Sequence, residues 1–264
     1  MNFYQYTYLA RTQTRLTIDA EWAQGRSIFG GLTAALVLAH IEANARSEGY
    51  NLSTTNVHFC GATQSQTPCE LAYQILSEGK SVRHVEGHLI QNGVIKTKVI
   101  ACFTRQRASA IEINPEPKRF PMTPEAAPKM PFVKEMMPKF LQHFDLRYTH
   151  DNFPFKGSND SLICGWTRLN APTEDLVDSS ILALIDAWPP VILPLLKRPA
   201  PTSTITWNIE FIRPRDKLDK EDSLYYECSG IVAGSGYAHS SGKMFHPNGQ
   251  LLALTRQMIG VWDA

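Results

Sequence analysis

The chain of 264 residues is 43% hydrophobic and 19% charged, with a formal net charge of +1. That length suggests about two domains on a prior of roughly 150 residues each. The apolar content suffices for sizeable cores, and the near-zero charge excludes the basic footprint of a nucleic-acid partner or of docking on an anionic membrane. Five scattered cysteines, an odd set with no C-x-x-C pair, read as buried free thiols of a reducing compartment.

In chain order, the opening MNFYQYTYLARTQ carries no basic n-region ahead of an apolar h-region. No uncharged apolar run reaches spanning length, so the expectation is a cytoplasmic protein with no membrane partner. Arg15 to Trp22 alternates as a half-buried strand. Leu32 to Ile41 is apolar on nearly every face, broken only by Thr33 and His40, and predicts a helix buried all round with Gly49 as its C-cap. Strands are expected at Ser53–Phe59 and Glu70–Leu76, followed by a hairpin turning at Asn92-Gly93 and running to Phe103. One buried helix followed by an antiparallel sheet that wraps it is an α+β unit.

Seven prolines between Pro115 and Pro138 then break any periodicity and mark a linker, within which FVKEMMPKFL is amphipathic enough for a short helix. The strands HFDLRYTH and SLICGWTRL follow. A second apolar helix, SSILALIDAWPPVILPLL, is expected to be N-capped by Asp178 or Ser179 and kinked or ended by Pro189-Pro190. STITWNIEFI and SLYYECSGIV lead into a closing hairpin.

That hairpin repeats an earlier one. Gly79, His84 and Gly87 correspond to Gly234, His239 and Gly242, all 155 residues on, and after one insertion Asn92-Gly93 corresponds to Asn248-Gly249. Phe59 corresponds to Phe211 at an offset of 152. A repeat this long implies two copies of a whole unit, taken as residues 1–105 and 141–264 joined by 106–140, with their sheets side by side. The copies differ in an informative way. Thr204 falls on Leu52, Gln257 on Ala101, and Asp186 near the apolar stretch Ala34 to Leu36. Polar groups where the other copy has hydrocarbon cost about 1 to 3 kcal/mol each if unpaired. Singly, Asp186 reads as a cap, Thr204 as a β-favoured residue and Gln257 as solvent-facing; their joint loss from the first copy singles them out.

With FGG opening the first helix, Gly79-Lys80-Ser81, the QNG turn, WTRL, a helical Asp, IEFIRP and a closing TRQ, the sequence resembles the TesB-like acyl-CoA thioesterases. The resemblance implies an α+β double hot-dog fold in which Asp186, Thr204 and Gln257 jointly hold the attacking water, with Phe211-Ile212-Arg213-Pro214 marking the threonine's strand. It further implies acyl-CoA as substrate, bound around Phe29, Gly30, Gly31 and Trp188; the missing ligand clusters and nucleotide loops predict no metal or other cofactor, and the open edges of each sheet predict a homo-oligomer. A buried carboxylate with a raised pKa suits proton transfer near neutral pH, and backbone N–H groups at Gly30 and Gly31 could polarise the thioester carbonyl. This chain departs from the pattern in its Trp188-Pro189-Pro190 and in Phe59-Cys60-Gly61-Ala62, where the first copy has no Arg-Pro. Action on another acyl carrier and non-catalytic binding of an acyl ligand stay open. Gly79-Lys80-Ser81 is no phosphate loop, since a strand follows it, and no G-x-S-x-G elbow occurs. His84 and His88 share a strand face without a third metal ligand.

Overall fold

The segment GGLTAALVLAHIEANA, whose stretch from Leu32 to Ile41 is apolar on nearly every face, is stable only where something covers that stretch all round. In the computed structural model, which describes residues 1–263, that cover is one antiparallel sheet together with two further helices. The helices are α1 (Phe3–Thr12), α2 (Gly30–Ala45) and α3 (Asp178–Asp186). The strands of the first half are β1 (Arg15–Thr17), a small ribbon β2 (Ala23–Gln24) and β3 (Ser27–Ile28), β4 (Asn51–Phe59), β5 (Pro68–Glu78), β6 (Val82–Gln91) and β7 (Val94–Thr104). The second half has β8 (Phe144–Tyr148), β9 (Leu162–Leu169), β10 (Thr202–Phe211), β11 (Leu224–Gly234), β12 (Tyr237–Phe245) and β13 (Leu251–Val261). Apart from the ribbon, they form one sheet in the order β1-β5-β6-β7-β4-β10-β13-β12-β11-β9-β8.

The halves meet at β4 and β10, and their register carries the duplication. Asn56 sits opposite Asn208, its own counterpart 152 residues on, and the Asn208 amide donates to Asn56 Oδ1 at 3.0 Å. A pseudo-two-fold axis therefore passes through this pair. Irregularities repeat as well. The β4/β7 register shifts between Leu52 and Thr54, and the β10/β13 register shifts at the counterparts Thr204 and Thr206. The β5/β6 shift between Ile75 and Ser77 recurs in β11/β12 between Gly230 and Val232. Bulges inherited in pairs are features of the fold, not local defects.

The two polar residues within the apolar stretch of α2 from Leu32 to Ile41 are satisfied. Thr33 donates back to the Gly30 carbonyl and accepts from Thr97, each at 3.0 Å, and His40 Nδ1 lies 2.8 Å from the Ala10 carbonyl of α1. Gly87 sits where β6 crosses α2; a Cβ there would lie 2.7 to 2.8 Å from side-chain carbons of Ile41 and Val37.

Several expectations are corrected. The first thirteen residues hold an unforeseen helix, α1, closed by a capping box in which Asn2 accepts from Gln5 N–H and Gln5 accepts from Asn2 N–H. The strand expected from Arg15 to Trp22 stops at Thr17, because Asp19 accepts from Glu21 N–H and turns the chain into one 3₁₀ turn at Ala20–Trp22. α2 ends at Ala45, and Gly49, with φ +77°, serves the turn before β4 instead of capping the helix. At α3 the N-cap position belongs to Val177; Asp178 is already helical and points to arginines, while Ser180 accepts from Val177 N–H. Asn92-Gly93 makes a two-residue turn with both φ positive, whereas in the second copy only Gly249 is left-handed and the extra residue makes a wider turn. FVKEMMPKFL forms turns, of which only the end joins a 3₁₀ helix at Lys139–His143. The proline-rich segment lies on the face of the sheet away from α3: Phe120 rests 4.6 Å from the rings of Trp166 and Tyr225, and Trp166 Nε1 donates to the Met122 carbonyl at 3.0 Å.

Gly87→Ala is expected to destabilise the chain by about 1 to 3 kcal/mol through overpacking. The measurement is the urea midpoint, which should fall at an unchanged m-value.

Candidate active site

α3 reads DSSILALID, and Asp186 is its last helical residue; the Ala187 N–H still bonds to the Ala183 carbonyl, but Pro189 and Pro190 cannot continue the ladder. α3 packs antiparallel to α2, so the end of one helix meets the start of the other. The start of α2 has Phe29 in the N-cap position, a side chain that can accept no hydrogen bond. Its first-turn N–H groups are consequently without a local partner. Asp186 fills part of that role, lying close enough to the backbone N–H of Gly31 for that group to favour the carboxylate, while the Gln257 amide donates to Oδ1 at 3.4 Å.

Glycine is required for this approach. A Cβ at Gly31 would stand 2.9 Å from Asp186 Cβ, and one at Gly30 would stand 3.2 Å from Asp186 Oδ2 and 2.9 Å from the Phe59 ring. Burial raises the Asp186 carboxyl from its ordinary value to about 7, against the opposing pull of the Gly31 and Gln257 hydrogen bonds. A group poised there changes charge near neutrality.

The β-bulge explains how Thr204 enters the same region. In a regular strand residues three apart point to opposite faces. Here Trp207 is opposite Gln257, and after the shift Thr204 is opposite Ile259, two residues beyond Gln257. The bulge therefore turns Thr204 onto the face that carries Gln257. In the first half the same bulge aims Leu52 at the core, where it is fully buried beside Ala101 and Phe103. Of the three expected polar residues, Asp186 and Gln257 are hydrogen-bonded and half-buried, and Thr204 shares their face without a hydrogen bond to either.

The other expected residues divide. Gly30 and Gly31 frame the carboxylate, as above. Phe29 is fully buried, stacked on Phe140 at 4.1 Å and on Trp22 at 6.5 Å, so its ring belongs to the core and not to an open binding surface. Trp188 lies between Tyr148 and Tyr226, at 5.1 and 6.2 Å, and its indole N–H has no hydrogen-bond partner. Two residues escaped the sequence reading as site components. Phe59, used there only to set register, lies against Gly30 beside Asp186. Tyr226 is buried, which raises its phenol well above the ordinary value, with Cys228 and the charge of Asp186 adding to the shift. The only available signal for either was its place in an apolar strand.

Two family models match the chain. One described as the acyl-CoA thioesterase N-terminal domain covers residues 18–106, and one described as the acyl-CoA thioesterase C-terminal domain covers 124–261. The chain belongs to the acyl-CoA thioesterase family. A search of curated proteins finds no significant match to this thioesterase-family chain. Among solved structures it is similar to a hot-dog-fold protein of unknown function from Alicyclobacillus acidocaldarius, with 23% identity, 94% and 92% of the two chains covered and a TM-score of 0.81. A putative thioesterase II from Thermobifida fusca gives 18% identity, 98% and 97% coverage and a TM-score of 0.81. The acyl-CoA thioesterase II TesB2 from Mycobacterium marinum gives 17%, 95% and 93%, and 0.73. At these identities the likeness concerns fold, and the fold is the α+β double hot-dog.

A stability experiment follows from the environment of Asp186. Its folded pKa is raised, so its contribution is fully present below about 4, the unfolded value, and is lost as pH rises through about 7. Asp186→Asn, which keeps the shape of the protonated acid, should therefore have a higher thermal midpoint than the parent at pH 8. The gap should narrow at pH 5.5. A midpoint lower than the parent's at both pH values would mean that Asp186 is a stabilising cap.

Proposed function

We propose that this chain hydrolyses acyl-CoA thioesters, with Asp186 as general base and Gln257 and Thr204 orienting the attacking water. The observation that carries the reading is the carboxylate at the uncapped start of α2, hydrogen-bonded to Gln257 and raised to about 7. Membership of the acyl-CoA thioesterase family supports thioester hydrolysis in general.

In this reading Asp186 accepts a proton from water as the water oxygen bonds to the thioester carbonyl carbon. The carbonyl oxygen becomes an oxyanion, and first-turn N–H groups of α2 at Gly30 and Gly31 lie within the field that favours negative charge. The C–S bond then breaks with its electron pair on sulfur, and the proton held by Asp186 passes to the departing thiolate. Gln257 and Thr204 are neutral, so they orient the water without competing for its proton. Phe59, half-buried against Gly30, offers apolar surface for the substrate near the thioester, and the buried Trp188 and Tyr226 keep the surroundings apolar.

We extend the proposal to self-association. Ile75, Leu76, Ile231, Val232 and Tyr237 are exposed near the ends of corresponding hairpins in the two halves, and apolar groups left outward at paired positions suit a second copy of the chain. Light scattering should report a mass above that of one chain; a monomer at all concentrations would count against it.

For hydrolysis, the assay is thiol release from a panel of acyl-CoAs. Asp186→Asn is expected to lower kcat by about 10²- to 10⁴-fold with little change in KM. Gln257→Ala and Thr204→Ala should each raise the barrier by about 1 to 3 kcal/mol. Because the groups act together, Asp186→Asn combined with Gln257→Ala should be scarcely worse than Asp186→Asn alone. The parent's kcat/KM should rise with pH through an apparent pKa of about 7, and Asp186→Asn should lose that limb. A fully active Asp186→Asn enzyme would end the reading.

A further inference from the structure

The pseudo-two-fold axis through Asn56 and Asn208 carries the start of α2 onto the start of α3, and the start of β10 onto that of β4. Applied to the neighbourhood of Asp186, it leads to the opposite end of the helix pair. Glu42, at that end of α2, lies twelve residues beyond Gly30, about 18 Å along the helix. A cleft of about 460 Å³ opens there, lined among others by Arg11, Arg46, Arg213 and Arg215. The set around Asp186 has no copy at this end, because Leu52 stands in place of Thr204 and Ala101 in place of Gln257. The arginines have no copy at the first end either: Gly61 and Thr63 are the counterparts of Arg213 and Arg215 at the offset of 152.

The charges of the cleft do not balance. Arg213 and Arg215 each reach a carboxylate oxygen of Asp178 at 2.5 Å, so two cations share one anion. Arg213 Nε also donates to the Leu52 carbonyl at 3.3 Å, which holds its guanidinium in place. Arg11 meets only Glu174, at 3.4 Å, with both side chains partly in solvent. Among the described residues Arg46 is exposed and forms no ion pair. The remaining lining carboxyl, Glu42, is raised to about 8 by burial and by the charge of Asp178, so at neutral pH it subtracts little. Four arginines thus line a concave surface with two full negative charges among them, Asp178 and, at the rim, Glu174.

We infer that this cleft, the degenerate counterpart of the Asp186 site, binds a phosphate-bearing anion through Arg11, Arg46, Arg213 and Arg215. Guanidinium groups match phosphate oxygens in pairs, and the excess of positive charge that remains suits a di- or polyanion better than a single carboxylate. Two sources share this chemistry: the nucleotide end of a coenzyme A thioester, and a free phosphate compound acting apart from the substrate. The inference does not depend on hydrolysis at Asp186, since it is read by binding alone.

Isothermal titration of the full chain at low salt with adenosine 3′,5′-bisphosphate and with inorganic pyrophosphate tests it. Saturable binding is expected, weakened roughly tenfold in Arg46→Gln and in Arg11→Gln and weakening further as salt is added. Arg107→Gln, which removes an exposed charge elsewhere, should bind like the parent. Binding of the bisphosphate alone would assign the site to the nucleotide end of coenzyme A; comparable binding of both probes would assign it to a free phosphate compound. Absence of saturable binding for both, unaltered binding in Arg46→Gln, or equal weakening in Arg107→Gln would overturn the inference.

Discussion

The contact between the end of α3 and the start of α2 organises this molecule. A helix start without a side-chain cap leaves backbone N–H groups unpaired, and a carboxylate placed among apolar side chains loses hydration worth several kcal/mol. Put together, each relieves part of the other's cost: Gly31 N–H meets Asp186, and the positive end of the helix dipole faces the negative charge. The relief is incomplete, and what is left over appears as a carboxyl raised to about 7. Gly30 and Gly31 are needed because any side chain would hold the two helices apart at this point.

Duplication supplies the rest of the site by economical means. The bulge near the start of β10 exists also in β4, so the fold itself aims position 204 and position 52 toward the interior of the sheet. In one half that position is a leucine completing a core; in the other it is a threonine on the face that carries Gln257. The scaffold thus sets direction, and substitution within it sets chemistry. The same asymmetry operates at the far ends of α2 and α3, where arginines following β10 have no counterpart after β4. Polar groups collect at both ends of the helix pair because helix termini are the places in an apolar core where charge finds backbone partners.

Much of this was readable in the residues. Thr33 and His40 were the only breaks in the apolar stretch from Leu32 to Ile41, and both proved to have hydrogen-bond partners in the interior. The paired glycines, histidines and Asn-Gly turns located the repeat, and register then followed the offsets of 152 and 155 to the residue. Other features were present in the sequence but masked by stronger patterns. Asn2 and Gln5 have the spacing of a capping box, yet the tyrosines and phenylalanine of α1 are spread over a short segment whose apolar face is defined by α2 and Trp22 packed against it. RLTIDAEW alternates well enough for a strand, but Asp19 bonds to Glu21 N–H and to the Tyr6 hydroxyl, and these contacts end the strand early. Phe29, expected near substrate, is claimed by Phe140 and Trp22, and no local pattern predicts a stack between segments more than a hundred residues apart.

Sequence alone determined the periodicities, and with them the buried helix, the strands, the turn residues and the identity of the polar substitutions that separate the two copies. These follow from interactions between residues near one another in the chain, or from comparison of one copy with the other. The tertiary structure decided what those substitutions touch. Whether Asp186 caps its own neighbourhood or faces another helix depends on the antiparallel packing of α2 and α3. Whether Thr204 points inward depends on a bulge, and whether Arg213 and Arg215 serve a strand end or line a cleft depends on where Asp178 stands. Each is a matter of direction in space, and direction is set when distant segments compete to bury apolar surface without leaving polar groups unpaired.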